Sequence, residues 1–491
     1  MNPLLLTDFY KVEHYRQYPK GTTLVYSNLT PRKSRIEGVD KMVFFGLQQF
    51  IKKYLFDKFK KDFFDRPWNE VDEEYKYAIN VNTDHIKALH QLGYLPLEIK
   101  ALPEGSLVPM RVPCITIKNT KPEFFWLTNY IETLLSAQLW QPCTSATIAY
   151  EYKKLFNHYI SKTVGNDYMW FTDWMGHDFS ARGMSSVESM ILSGMGHLTS
   201  FTGTDTIPAI YALKNNYKGE GLIGASVPAT EHSVMCAGTG VEGEFETFKR
   251  LITEVYPSGI LSIVSDTFDL WKVLTEYLPA LKTEILNRQK DALGNAKVVI
   301  RPDSGDPVDI ICGKEMKQWT QKNSPYEEKG VYELLWDTFG GTVVNGYKVL
   351  NPCVGTIYGD SITLDRAKQI CEKLIAKGFA PMMVFGIGSY TYQYNTRDTF
   401  GLAMKATYIE VDGKGIEIFK DPITDDGTKK SAKGLLYVQK NSFNGDYELV
   451  DKVDWQLESQ GELKTVFKDG KLLIETSLQE VRDRLKEEVL V

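Results

Sequence analysis

Between Gly221 and Tyr390 the chain repeats one grammar: a short run rich in Val and Ile, then at once a cluster of reactive or phosphate-friendly residues. The clusters read SVPATEH (226–232), SIVSD (262–266), KVVIRPDSGD (297–306), GTIYGD (355–360) and MMVFGIGS (382–389). Each body suits a fully buried parallel strand, and a stretch of plausible helix follows each one. Strands that deliver function at their carboxyl ends are how a (β/α) barrel assembles an active site. The His, Arg, Asp and Gly at those ends suit a substrate carrying several phosphates, which points to an enzyme.

The 491 residues exceed one ordinary domain but accommodate a barrel plus a second module, and 43% apolar residues suffice for sizeable cores. A formal charge of −6 gives no general reason to expect nucleic acid or an acidic membrane as partner. The six cysteines are scattered with no Cys-x-x-Cys pair, which reads as reduced thiols. With no basic leader before the short apolar run of MNPLLLTDFY and no membrane-length apolar stretch, the expectation is a cytoplasmic protein.

Strand-then-helix alternation is expected from YMWFTD (168–173) onward. Before it, the sequence predicts a strand at 22–28, a helix at 43–59, two strands about Pro103-Glu104-Gly105, and helices at 124–139 and 145–159. After 389 it predicts a hinge at Asp412-Gly413, a hairpin turning at Asp469-Gly470, and a terminal helix over 478–490. The expected fold class is α/β: an irregular (β/α) barrel at 166–389, beside an α+β domain built from 1–165 together with 390–491.

KVVIRPDSGDP is the strongest single motif. Arg301 ends a strand, Pro302 stops the ladder, and Asp303-Ser304-Gly305 turns away with free amides and a carboxylate. A guanidinium fork matches phosphate oxygens, while Asp303 suits a ribose hydroxyl or a magnesium-bound water. Against this stands an ordinary turn with an exposed ion pair. His232 follows Glu231, a carboxylate able to orient or charge it, although a lone histidine is more often structural. GHDFSARG sets Phe179 near Arg182, an aromatic face and a cation; a core Phe with a surface Arg is the blander reading. Asp205 in GTDT reads locally as a helix cap. FGIGS is weak as a dinucleotide fingerprint and better read as amides opened to a phosphate. Arg397, Lys405, Lys420, Lys429, Lys430 and Lys433 form a basic series, either a solvated face or a loop over phosphates. Walker, HExxH and GxSxG motifs are missing, which argues against the chemistries they carry.

Taken together, GTDT, SVPATEH, IVSDT, IRPDSG, YGDS and the lysines around FKDP resemble the nicotinamide phosphoribosyltransferase family. The resemblance runs from TDFYKVEHY to TVFKDGK. It implies a type II phosphoribosyltransferase fold and a homodimer with shared sites. The implied reaction condenses nicotinamide with 5-phosphoribosyl 1-pyrophosphate, giving nicotinamide mononucleotide and diphosphate for NAD salvage. Magnesium would assist, and ATP as co-substrate would phosphorylate His232. Carried over by motif, Phe179 and the partner subunit's Tyr10 would sandwich the pyridine, and Asp205 would accept from its carboxamide. Arg182 and Arg301 would bind ligand and diphosphate, with Arg32, Lys420 and Lys429 also meeting the diphosphate or ATP. Asp303 would hold ribose or magnesium-linked groups, Gly359 and Asp360 the ribose, and Gly388 and Ser389 the 5′-phosphate. Arg397 and Lys405 would assist there, and Asp266 would orient His232. Ser389 stands where the family usually has glycine, Ala403 where it has serine, and Gly355-Thr356 where a bulkier or basic residue is common. A nicotinate-preferring enzyme is the nearest alternative, disfavoured by the charge of Asp205; a sugar-phosphate barrel lyase is a further one.

Overall fold

The computed structural model describes residues 1–314, 326–425 and 427–489, and the chain divides into two compact units. The first comprises Met1–Thr147, Pro208–Gly221 and Asn395–Val491; the second comprises Ile148–Ile207 and Leu222–Tyr394. The seams thus fall at 147 and 395, where the sequence division had 165 and 390, and a short excursion at 208–221 goes with the first unit. Tyr217 explains the excursion. Its ring packs on Phe45 at 4.9 Å, its hydroxyl donates to the buried Glu104 at 2.7 Å, and its carbonyl accepts from Leu478 N.

In the first unit a seven-stranded antiparallel sheet interleaves both ends of the chain. Thr22–Thr30 lies between Ala403–Val411 and Ile115–Asn119, and Leu97–Ala101 lies between Ile115–Asn119 and Lys464–Lys468. Phe44, Leu97, Ile115, Leu402 and Phe467 share one buried core. Both sequence-predicted turns form: Asp412-Gly413 and Asp469-Gly470 take φ of 48° and 75°, and 47° and 76°. These left-handed pairs match the twist of two-residue hairpins. The helical run expected from residue 43 begins instead at Leu47, because Lys41–Val43 pairs as a strand with Leu107–Pro109. In place of the helices expected at 124–139 and 145–159 stand a short one, Leu127–Tyr130, and a long one, Glu132–Thr163, which runs through Pro142. Inside this helix the Thr144 hydroxyl donates back to Trp140 O at 2.7 Å, as Thr147 does to Cys143 O.

His85 gives the first unit a pH signature. Its ring stacks on Tyr15 at 3.7 Å, neither ring nitrogen has a hydrogen-bond partner, and burial pushes its pKa down to about 4. The unfolded chain takes this proton from about pH 6.5 downward and the folded chain does not, so the contribution is full above 6.5 and lost on acidification toward 4. Between pH 7 and 5 this removes roughly 1–2 kcal/mol. His85→Phe keeps the stack and should flatten that slope in urea unfolding titrations.

The second unit is the parallel one. Its six-stranded sheet runs Gly203–Thr204, Gly176–Asp178, Val384–Ile387, Val354–Tyr358, Ala296–Arg301, Gly259–Val264. Residues 225–230 join its two edges through parallel bridges, Gly203 to Ala225 and Ala229 to Ser262, and so close the ring. Segment 225–230 forms no regular strand, because Pro228 has no N–H to give; its carbonyl still accepts from Ser262 N at 2.9 Å. YMWFTD is likewise not a strand: it lies in the short helices Asn166–Phe171 and Thr172–Met175, and the first barrel strand is Gly176–Asp178. The terminal helix runs Leu478–Val489. Residue 490, included in the expected helix, lies outside the described residues. No helix among the described residues is long and apolar enough to cross a membrane.

Candidate active site

Strand register decides which side chains share the inner face of the ring. His177 pairs with Gly386 on one side and Gly203 on the other; Arg301 pairs with Val264, and Val299 with both Ser262 and Gly355. Paired residues of a parallel sheet point the same way, and so do residues two apart on a strand. His177 and Phe179 therefore share one face, at the carboxyl end of Gly176–Asp178.

Phe179 packs its Cδ2–Cε2 edge against two glycines. A Cβ at Gly386 would stand 2.5 Å from its ring, and one at Gly359 would stand 3.3 Å away. The strand-like bond from Phe179 N to Ile387 O fixes its backbone, and the Arg301 guanidinium sits 6.0 Å from its ring centroid. Beneath this corner Asp178 is fully buried and accepts from Ser180 N, Ser180 Oγ and Thr206 Oγ1, which pins the turn that carries Phe179. His197 is structural: Nε2 contacts Gly203 O and Nδ1 contacts Tyr392 Oη, at 3.0 and 2.7 Å.

Asp205 is not a side-chain helix cap. Its Oδ1 meets His177 Nε2 at 3.0 Å and accepts from the Ser226 hydroxyl. Burial works against its ionisation, but the hydrogen bond and charge of His177, then Ser226 and Arg301, outweigh it and hold the carboxyl below its ordinary range. His177 and Ser226 were not singled out as site residues. Their sequence signal was spacing: His177 stands two before Phe179, and Ser226 opens the SVPATEH segment.

Arg301 is mostly buried, which lowers its pKa; Asp303 and Asp205 oppose that effect and Arg182 adds to it. Its Nε has no hydrogen-bond partner. A guanidinium withdrawn from water and left short of acceptors, with a second cation near, is an anion seat. Asp303 lies against Gly359, where an added Cβ would come within 3.0 Å of its Oδ1. Asp266 ties two strand ends together. Its Oδ2 accepts from Asp303 N at 2.9 Å and from Ser304 Oγ at 2.5 Å, while the buried Oδ1 is left without a hydrogen bond. That free oxygen stands 3.4 Å from His232 Nε2, within ion-pair reach but outside hydrogen-bond alignment. His232 opens the helix His232–Glu242, where the amide dipoles favour a negative group. Glu231 does not hold the imidazole; its carboxylate accepts from Ser233.

The remaining predicted residues of this unit lie at neighbouring strand ends. Asp360 is exposed and takes the Ser361 hydroxyl at 2.9 Å. Gly388 faces open space, whereas the Ser389 hydroxyl lies against Gly183, one residue after the exposed Arg182. Gly355 leaves room that the stem of Lys297 occupies, so a basic side chain reaches this place from the adjacent strand.

In the first unit Lys405 is largely buried, which lowers its pKa; Glu132 counters, and Arg32, Lys420 and Arg397 add their repulsion. Arg32, Arg397, Lys405 and Lys420 are thus one electrostatic cluster. Lys430 and Lys433 pair with Asp421 and Glu417, and Lys429 is an exposed residue whose amide bonds Asp425. Tyr10 is 62% exposed, on a short turn of helix, with its ring edge against His14.

The model of the nicotinate phosphoribosyltransferase family matches residues 175–471, and that of the N-terminal domain of nicotinamide phosphoribosyltransferase matches residues 2–99. A nicotinamide phosphoribosyltransferase of Acinetobacter baylyi is 54% identical, over 100% of this chain and 98% of the relative. The chain belongs to this family. A nicotinamide phosphoribosyltransferase of Xanthomonas campestris is 34% identical over 98% of this chain and 97% of its own length. The fold is shared with a nicotinate-nucleotide pyrophosphorylase from Pyrococcus furiosus, at TM-score 0.61 and 14% identity over 100% of this chain and 95% of that one. It is shared also with human nicotinic acid phosphoribosyltransferase, at TM-score 0.51 and 14% identity over 98% and 93%.

Proposed function

We propose that the protein condenses nicotinamide with 5-phosphoribosyl 1-pyrophosphate, giving nicotinamide mononucleotide and diphosphate in NAD salvage. The observation that carries this reading is the ionised Asp205, held by His177 beside the flat aromatic wall of Phe179. An amide offers that carboxylate an N–H; nicotinate offers it a second negative charge. In the reaction the pyridine nitrogen attacks the ribose C1, and the bond from C1 to the diphosphate oxygen breaks with its electron pair leaving on that oxygen. Phe179 orients the ring, and Arg301, assisted by Arg182, stabilises the departing charge. Gly359, Asp360 and Asp303 suit the ribose side, and Gly388 and Ser389 the 5′-phosphate.

Among the described residues, no group of His, Cys, Asp and Glu is arranged to hold a metal ion by itself. Magnesium would accordingly arrive on the diphosphate, with Asp303 the carboxylate placed to meet its water shell. Bound there it supplies positive charge to the leaving group. ATP is proposed as a co-substrate that phosphorylates His232, whose place at a helix start beside Asp266 suits an added anion. The basic cluster of Arg32, Arg397, Lys405 and Lys420, together with Tyr10, is proposed to serve phosphates and the pyridine in a homodimer with shared sites. Cysteines that are all unpaired suit a cytoplasmic setting.

The purified protein should form the mononucleotide from nicotinamide, phosphoribosyl pyrophosphate and magnesium, faster with ATP; no product with or without ATP sinks the reading. Asp205→Asn should narrow the preference for nicotinamide over nicotinate. Like charges about 4 Å apart repel by about 1 kcal/mol in water and about 4 kcal/mol near a protein surface. With the Asp205 side chain 44% exposed, we expect about 2 kcal/mol, roughly thirtyfold in competition assays.

A further inference from the structure

The first unit contains a cavity of about 130 Å³ that the transferase chemistry does not use. Its walls are apolar: Leu47, Ile51, Leu102, Val466, Leu472 and Ile474. Its polar lining divides into groups already satisfied and groups with capacity left. Glu104 is buried, and its carboxylate accepts from Gly46 N, Gln48 N and Tyr217 Oη at 2.6–2.7 Å. The Gln48 amide donates to Asn216 O and Thr476 O and accepts from Thr476 N. These bonds hold both groups in place, and the Glu104 carboxylate belongs to the same wall as the cations.

The cations are different. Arg484 donates from one nitrogen to Glu104 O at 2.6 Å, and Lys464 to Gly461 O at 2.7 Å. Neither forms an ion pair with a carboxylate among the described residues. Of the nearby acids, Glu480 accepts from Ser477 and Glu475 pairs with Lys52 and Lys218, while the charges of Glu480 and Glu104 reach Arg484 without an ion pair. An apolar chamber with two cations in its wall asks for a guest with an oily body and one anionic head. An apolar cavity of about 150 Å³ accommodates a benzene ring, so the volume sets the body at about one ring. The planar guanidinium fork sets the head as a carboxylate.

We propose that this cavity binds a monocyclic aromatic carboxylate, with its ring against Leu47, Ile51 and Leu102 and its carboxylate on Arg484, flanked by Lys464. The guest would fasten the helix Leu478–Val489 to the hairpin strands Lys464–Lys468 and Lys471–Leu472.

The test uses the full chain and fluorine NMR, with 4-fluorobenzoate as probe and 4-fluorobenzamide as its neutral twin. The acid should bind saturably and the amide at least about tenfold more weakly. Arg484→Met should weaken the acid by about tenfold or more, and Arg484→Lys by less. Val466→Phe, which fills the chamber, should abolish binding while thermal melts show an intact fold. The nicotinamide KM should be unchanged in all of these variants. The proposal is overturned by no saturable binding below ~10 mM, by equal binding of acid and amide, or by binding that survives both Arg484→Met and Val466→Phe. An acid displaced by nicotinamide sits in the barrel instead and also overturns it. None of these results bears on whether the protein makes the mononucleotide.

Discussion

Arg301→Leu should reduce kcat/KM for phosphoribosyl pyrophosphate by roughly two to three orders of magnitude while leaving the ligand-free protein as stable as before, or more so. The two halves of that expectation come from one observation. The guanidinium is mostly buried, its Nε lacks an acceptor, and Arg182 adds like charge. In the ligand-free state such a group is a cost, and replacing it by an apolar side chain relieves desolvation. In the reacting complex it meets a leaving group that gains charge, where a charge-assisted pair in a shielded site contributes about 3–4 kcal/mol. Steady-state kinetics and a thermal melt on the same preparation separate this from a structural role: a destabilised variant with near-normal kcat/KM would count against it. Arg301→Lys should recover part of the rate, since it restores charge without the fork.

His232→Ala should eliminate incorporation of the γ-phosphoryl group of ATP into the protein and eliminate stimulation by ATP, while retaining basal mononucleotide synthesis. In the proposed phosphorylation an imidazole nitrogen would form a bond to the γ-phosphorus, the bond to the β–γ bridging oxygen would break, and ADP would leave with that electron pair. Nε2 of His232 stands 3.4 Å from Asp266 Oδ1, so the carboxylate supports the positive charge that develops on the ring. Asp266→Asn should slow labelling without removing it, because the other oxygen's bonds to Asp303 N and Ser304 keep the turn in place. Label persisting in His232→Ala would move the phosphorylated residue elsewhere.

The barrel was legible in the sequence because burial on both faces leaves continuous Val- and Ile-rich runs, as in 297–301 and 384–387, and because Pro302 and Gly388 mark where the strands stop. The segment 226–232 misled as to regularity, since Pro228 forbids a full ladder while leaving the segment in the ring. Pro142 falls in the gap between the helices expected at 124–139 and 145–159, yet Glu132–Thr163 continues through it, a place where proline ordinarily costs a helix a backbone bond. Asp205 shows the limit of local reading. Its neighbours in sequence offer a helix to cap, and its partners, His177 and Ser226, come from other strand ends, invisible until the sheet order is known. The excursion at 208–221 was equally hidden, because it rests on Glu104 and Leu478, far away in the chain.

The ring is sealed beside His232 by a handful of amide links around Ala225 and Ala229, whereas the neighbouring strands Gly259–Val264 and Ala296–Arg301 run in continuous register. A group added at His232, which opens the helix His232–Glu242, would therefore stand next to a lightly bonded joint of the ring. On the proposed phosphorylation, a displacement of that joint would leave the six-residue ladder carrying Arg301 in register.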